Sequence, residues 1–323
     1  MLLQVLPKET FNQEYERMAS WLVTGANGNL GRRLLGFLLQ DPQHSVTAVV
    51  RSARAAKQIE DLELNSEQRT RLVIEIVDYT DVPGLTRVAS GKEAAVHLVG
   101  ILKETAAARY AVAHEASTEA LRQALETAGV SHVTYLSIVG SHEQAQNACL
   151  ASKGRAEAVL RASSVPAAIV RVPMVLGEGD YASYALRQRA SKSVAFTFRA
   201  DSLEQPIYAG DVVNAICAAA DKRLDATIDL GGPEVLSRRE LTRRASHLLG
   251  HDTRLVSLPL GIGIGMASLM EKLLASPPVT KAMLEVLDHD DDVDSDSART
   301  TLGLPALTSL DDMLRAVLGS SAQ

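Results

Sequence analysis

The stretch Trp21 to Leu39, WLVTGANGNLGRRLLGFLL, constrains this chain more than any other. The apolar run Trp21 to Thr24 has the length and composition of a buried strand. It leads directly into Gly25-Ala26-Asn27-Gly28-Asn29-Leu30-Gly31, then into a helical pattern with Leu30, Leu34, Leu35 and Leu38 on one face. Strand, glycine turn and helix together make a geometry that holds a pyrophosphate. Gly25 permits a tight turn, Gly28 lets the backbone approach a ligand with no Cβ in the way, and Gly31 lets the helix pack close to the strand. The unpaired N–H groups opening the helix, at the positive end of its dipole, face the anion. Asn27, Asn29 and Leu30 complete the cradle.

Downstream, short apolar runs alternate with helical patterns. Ser45 to Val50, Leu72 to Val77, Ala94 to Val99, His132 to Ile138 and Ala167 to Val172 read as strands. Asp81 to Ser90, Glu104 to Ala128 (with Gly129 as C-cap) and Leu150 to Ala162 read as helices. This alternation predicts an α/β fold, a doubly wound parallel Rossmann sheet covered on both faces, with ligands beyond the carboxyl ends of the strands. Leu98, Val99 and Gly100 end the fourth strand, where backbone can pass a cofactor. His97 inside that strand reads as a core histidine.

The second strand ends where an adenosine ribose is expected. An Asp or Glu there would bond a 2′-hydroxyl. Instead the strand runs into Arg51-Ser52, with Arg54 and Lys57 behind, and Arg32 and Arg33 sit in the first helix. Guanidinium groups bind a 2′-phosphate through charge-assisted forks. NADP(H) is therefore expected in preference to NAD(H), with Arg51 first and Arg32 next as the selecting residues. Asp78, closing the third strand, either lies beside the adenine or forms a turn through its own backbone.

The net charge of −6 leaves no global basic field for nucleic acid. Cys149 and Cys217 form neither a disulfide framework nor a metal cluster, which fits a reducing, cytoplasmic setting. The opening residues lack both a basic region and a long apolar core, so residues 1–18 read as a disordered leader or a misassigned start. Residues 19–175 then form the NAD(P)-binding domain. Residues 176–323 form a smaller C-terminal α+β lobe on the substrate side, interleaved with the end of the sheet. In that lobe Asp180 to Ala190, Asp211 to Ala220 and Ser237 to Leu249 read as helices, the last with a capping-box pattern at Ser237 and Glu240. Gln205 to Tyr208, Ala226 to Leu230 and residues 253–258 read as strands. Asp211 either charges the start of its helix or organises the cofactor lobe. The apolar stretch Leu255 to Met270 is too short to span a bilayer, and Pro259 with three glycines weakens a helix there. Burial under the lobe is the expectation, with a membrane-surface or quinone contact as the alternative. Asp288 to Asp296 reads as a solvated acidic loop, not a metal site.

Several segments point to one family. TGANGNLGRRL, VVRS, VHLVGIL, RVPMVLGEGD, LEQPIYAGDVVNAI and DLGGPEVLSRREL resemble the atypical short-chain dehydrogenase/reductases over roughly residues 19–318. The G-x-x-G-x-x-G spacing is that superfamily's fingerprint. Within it, the segments most resemble the group of the nucleotide-binding accessory subunit of respiratory complex I and its bacterial relatives. The resemblance implies a bound NADP(H) with a C-terminal lobe over the nicotinamide. It covers hydride-transfer enzymes as well as proteins in which NADPH is structural, and some relatives are linked to isoprenoid quinones.

Active members place Ser or Thr after the fifth strand and Tyr-x-x-x-Lys on the next helix. The Tyr exchanges the proton, and the Lys bonds the ribose and lowers the Tyr pKa. Here Ser137 and Lys153 match, but the tyrosine position is Cys149. Three readings follow. Ser137 and Lys153 hold a resident cofactor; or another group (Tyr181, Tyr184, His142 or water) replaces the acid; or Cys149, partly ionised beside Lys153, takes part. RVPMVLG departs as well, with Val172 between Arg171 and Pro173, while Pro173 and Val175 remain candidates for the nicotinamide amide. The functional expectation is an NADP(H)-binding oxidoreductase acting on a small carbonyl or quinone-type substrate. A non-catalytic, NADPH-binding assembly or redox-sensing protein with a protein partner is the competing class.

Overall fold

The computed structural model describes residues 20–105, 107–273, 284 and 290–319. The expected leader, and Asp288 of the acidic run, lie outside the described residues. Seven parallel strands form the central sheet: β1 (Ser20–Thr24), β2 (Ser45–Val50), β3 (Leu72–Ile76), β4 (Ala94–His97), β5 (His132–Ile138), β6 (Ala167–Val172) and β11 (Ala226–Asp229). Their order is β11-β6-β5-β4-β1-β2-β3. The chain thus steps outward from β1 through β2 to β3, then returns across it to β4. That reversal opens a crevice at the carboxyl ends of β1 and β4, where doubly wound sheets bind ligands.

Helices cover both faces. On one, α1 (Asn29–Leu38) and α8 (Ala209–Asp221) enclose a core with Trp21, Leu34, Leu35, Leu38, Val170 and Ile216. On the other, α4 (Val82–Ala89), α5 (Ser117–Ala128) and α6 (Ala148–Arg161) enclose Leu22, Leu85, Leu121, Leu125, Val133, Tyr135 and Leu160. The five inner strands are buried from both sides, so they read as continuous apolar runs rather than as alternation, while the edge strands β3 and β11 are partly exposed. Strand β11 and helix α8 lie in the C-terminal half of the chain but belong to this layer.

The C-terminal half also forms three two-stranded sheets. β7 (Val175–Leu176) pairs with β10 (Ile207–Tyr208), β9 (Leu203–Glu204) with β12 (Leu236–Ser237), and β8 (Val194–Phe198) with β13 (Arg254–Leu258). Helices α7 (Tyr181–Ala190), α9 (Arg238–Leu248) and α12 (Leu310–Gly319) share a separate core around Leu186, Leu241 and Leu314. Ser237 accepts the Glu240 N–H at 3.1 Å, capping α9 as its pattern predicts. Asp211 accepts from the Thr308 amide at 2.9 Å and the Thr308 hydroxyl at 3.1 Å, so its carboxylate ties the segment before α12 to α8.

Two expectations are overturned. Pro259 does not weaken the following segment: α10 (Leu260–Leu273) starts directly after it. A proline just ahead of a helix gives up no helical hydrogen bond. Gly263 is required there, because a Cβ would lie 2.6 Å from the Phe198 ring. The stretch is also not buried throughout, since Ile262 and Met266 stand 55% and 58% exposed on one face. In the acidic run, Asp290 accepts the Leu203 N–H and Asp294 caps α11 (Ser295–Leu302). Among the described residues no group of His, Cys, Asp or Glu could hold a metal, and no helix is long and apolar enough to cross a membrane.

Candidate functional site: a dinucleotide crevice

The glycine turn brings β1, α1 and the end of β4 together. Gly25 has φ +74°, and a Cβ on it would lie 2.9 Å from the Leu98 carbonyl carbon and 3.0 Å from the Val99 nitrogen. Only glycine satisfies both the left-handed backbone and that approach. A Cβ on Gly31 would meet the Ala26 backbone at 2.6 Å, so the close packing is between α1 and the turn itself. Gly28 is the N-cap of α1; it supplies no capping side chain, and the first turn holds no acidic residue. The opening amides are therefore left for a ligand.

Tyr79, which sequence patterning does not single out, braces this turn. Its hydroxyl accepts the Gly25 N–H at 3.1 Å and donates to the Val49 carbonyl at 3.2 Å. On the other side, the segment after β7 lies against α1. Asn29 Nδ2 donates to the Glu178 carbonyl at 3.0 Å, and Arg33 pairs with the Glu178 carboxylate at 2.6 Å. Tyr208 donates to the same carboxylate at 2.8 Å. Arg33 is thus committed to structure. Arg32 only approaches Asn29 Oδ1, at 3.4 Å, and its buried Nε has no partner among the described residues. Buried polar groups are normally paired, so an anion bound at this turn suits that vacancy.

At the ribose end, Arg51 is exposed with its guanidinium 5.5 Å from the Tyr79 ring centroid. Ser52 caps α2 (Ala53–Glu60), Lys57 pairs with Asp61 at 2.8 Å, and Asn27 Nδ2 donates to Gln58 at 3.0 Å. Asp78 accepts the Thr80 amide at 2.8 Å and the Thr80 hydroxyl at 2.6 Å, the turn-forming role of the two expected. Those bonds, with a smaller contribution from Arg51, hold its carboxyl below the usual range.

Lys153 is buried, and its Nζ donates to the Leu136 carbonyl at 2.9 Å, 4.4 Å from the Tyr135 ring centroid. A Cβ on Gly100 would lie 3.2 Å from that Nζ and 3.5 Å from His114 Nε2, so both face the backbone that follows β4. Burial pulls the Lys153 pKa down to about 8. His114 sits in a π-helical turn, Ala111–Ala116, ahead of α5, and its Nε2 accepts the Ile101 N–H at 3.1 Å. Burial, reinforced by Lys153, lowers both His114 and His97 to about 3 and keeps them neutral. His97 is the core histidine expected, stacked on Tyr135 and bonded to Thr24 Oγ1 at 2.6 Å.

Two expectations for the catalytic set are corrected. Ser137 does not offer its hydroxyl to the crevice: it donates to Glu157 Oε1 at 2.5 Å, inside a buried network with Arg171. Strand alternation sends this residue under α6. Cys149 is fully buried, and burial raises its thiol pKa more than Lys153 lowers it, so the partly ionised thiol is not supported. Of the other groups considered as the acid, Tyr181, Tyr184 and His142 are exposed. Pro173 and Val175 are half-buried beside the segment that covers α1.

A family model described as NAD(P)H-binding matches residues 25–205, more than half of the chain. The chain belongs to this NAD(P)H-binding family. The match starts at the first glycine of the cradle and runs past β6 into the smaller lobe. The family's sheet is shared with solved epimerases and reductases at low identity. Triphenylmethane reductase from Citrobacter superposes with a TM-score of 0.71 at 18% identity, covering 93% of this chain and 99% of that one. The UDP-glucuronic acid 4-epimerase of Bacillus cereus, solved in complex with NAD, superposes with a TM-score of 0.70 at 17% identity, covering 93% and 97%. In sequence, the ceramide reductase of Caulobacter vibrioides is 27% identical over 242 residues, 73% of each chain. This NAD(P)H-binding chain therefore shares its fold with these epimerases and reductases.

Proposed function

We propose that this chain is an NADP(H)-dependent reductase that delivers hydride to a carbonyl or quinone-type group on an apolar substrate. The observation that carries this reading is Lys153, whose buried ammonium stands beside Gly100 in the crevice beyond β4 and β5. Burying a lysine is costly, and a site that needs a cation offsets that cost. Bound NADPH supplies the hydride. The α1 amides and Arg32 would hold the diphosphate, Arg51 would meet the 2′-phosphate, and Lys153 would bond the nicotinamide ribose. The likeness to a ceramide reductase supports a reductase whose carbonyl is carried on a lipid-like body.

The test is NADPH oxidation by the purified protein against a panel of apolar ketones, aldehydes and quinones. Arg51→Glu should weaken NADPH binding by about 10- to 100-fold, the loss of one charge-assisted contact, and leave NADH binding nearly unchanged. Equal affinity of the wild type for the two cofactors would overturn the NADP(H) assignment.

A second reading rests on Cys149. Without a phenol at that position, the same crevice suits a tightly held NADPH that stabilises an assembly or reports redox state, as the resemblance to the complex I accessory subunit implies. Cofactor copurification without turnover on any acceptor favours this reading.

A further inference from the structure

The cysteine at position 149 leaves two linked questions: what fills the space of the missing phenol, and where the proton comes from. Tyr110 lies near enough to the Cys149 thiol to lower its pKa, a smaller effect than those of burial and Lys153. It lies on the residue before the π-helical turn and is buried. Its hydroxyl donates to the Leu102 carbonyl at 2.9 Å, two residues past Gly100. Its ring stacks on His114 with centroids 5.4 Å apart. The Cys149 thiol itself reaches the Ile101 carbonyl at 3.6 Å. Phenol, thiol, imidazole and the Lys153 ammonium thus surround one backbone segment, 100–102, from two different helices.

This arrangement has a simple steric logic. Cysteine and lysine at i and i+4 share one helix face. A cysteine side chain stops well short of where a tyrosine hydroxyl on the same backbone would reach, and a neighbouring phenol fills the difference. The π-turn widens the helix start, as such turns do at functional sites.

We propose that Tyr110 is the proton donor of this enzyme, supplying from the start of the fifth helical segment the phenol that position 149 lacks. This rests on the reductase reading above. As hydride from NADPH bonds to the carbonyl carbon, the Tyr110 O–H bond breaks and its proton bonds to the carbonyl oxygen. The phenolate left behind faces the Cys149 thiol, which itself lies in the field of the Lys153 ammonium, and takes a proton back from water, so one NADPH and one proton are consumed per alcohol formed. His114, held neutral, keeps the ring in place without competing for the charge.

The test compares wild type, Tyr110→Phe and the exchange variant Tyr110→Cys/Cys149→Tyr, which vacates the space that a phenol at position 149 needs. NADP(H) binding is read by fluorescence titration, turnover by NADPH oxidation, and phenol ionisation by absorbance at a tyrosinate wavelength in the NADP⁺ complex. Tyr110→Phe should bind NADPH like wild type, lose roughly 100-fold or more of its turnover, and lose one tyrosinate that titrates below the usual value of about 10. The exchange variant should regain turnover. If wild type binds no NADP(H), the reductase reading fails, and this inference with it. If wild type turns over and Tyr110→Phe does so equally, the reductase reading survives and the Tyr110 assignment is overturned. If wild type binds but reduces nothing tested, the tyrosinate titration decides: its presence in wild type and loss in Tyr110→Phe support the assignment, and an unchanged titration overturns it.

Discussion

Glu157→Ala should lower the stability of this protein by about 3 to 5 kcal/mol, the usual cost of removing one partner from a buried ion pair. Glu157 is fully buried and accepts from Ser137 at 2.5 Å, Arg171 at 2.5 and 3.0 Å and Arg161 at 3.2 Å. Removing the carboxylate strands the Arg171 guanidinium, which is mostly covered and, among the described residues, keeps only Asp229, at 3.7 Å, as an acidic neighbour. It also leaves the Ser137 hydroxyl without an acceptor. Glu157→Gln keeps the volume but turns one accepting oxygen into a donor facing Arg171, so it should fall between the two. Thermal denaturation of the three proteins, with unfolding midpoints differing by roughly 5 to 8 °C between wild type and alanine variant, checks this. A loss below about 1 kcal/mol would mean that the network is better solvated than its burial implies. Glu157 lies four residues after Lys153 on α6 and bridges that helix to β5 and β6, so the variant also tests whether the network seats the helix carrying Lys153.

Gly31→Val should abolish tight dinucleotide binding. A Cβ at this position meets the Ala26 oxygen at 2.6 Å and the Ala26 Cα at 2.8 Å, and neither atom can swing aside as a flexible side chain would. Helix α1 must back away from the turn, drawing its opening amides out of reach of the diphosphate. Hydrogen bonds to a charged group contribute about 1.5 to 3 kcal/mol each, so loss of one costs roughly tenfold or more in affinity and loss of two roughly 100-fold or more. Overpacking adds a stability cost of about 1 to 3 kcal/mol. Gly36→Ala is the internal control. It lies in the same helix with nothing within 4 Å of a new Cβ, and should raise stability slightly without changing binding.

The central sheet was legible because its physics is local in sequence. Strands β2, β5 and β6 fall at Ser45–Val50, His132–Ile138 and Ala167–Val172, the bounds their apolar runs predict. The glycine cradle was legible because steric demands on a tight turn act residue by residue. The small sheets were legible only in part: β10 and β13 fall within Gln205 to Tyr208 and residues 253–258, whereas β7, β9 and β12, two residues each, are too short to carry a period. Helix α10 was missed because the glycine penalty was weighed without the Phe198 ring that Gly263 must admit. In the site, Lys153 was found through the Tyr-x-x-x-Lys pattern that the family resemblance supplies. Tyr79, Tyr110 and His114 were not, because each acts through a contact with a distant turn or loop rather than through a pattern along the chain. Ser137 lies inside the fifth strand rather than after it, and the buried Glu157 and Arg171 that claim its hydroxyl come from α6 and β6.

The most direct measurement is a calorimetric titration of the wild-type protein with NADPH and with NADH at one ionic strength. A saturable one-to-one isotherm with NADPH bound at least about tenfold more tightly than NADH, the size of one charge-assisted contact, is the predicted result. No heat of binding with either dinucleotide, together with an unchanged melting temperature, would contradict it.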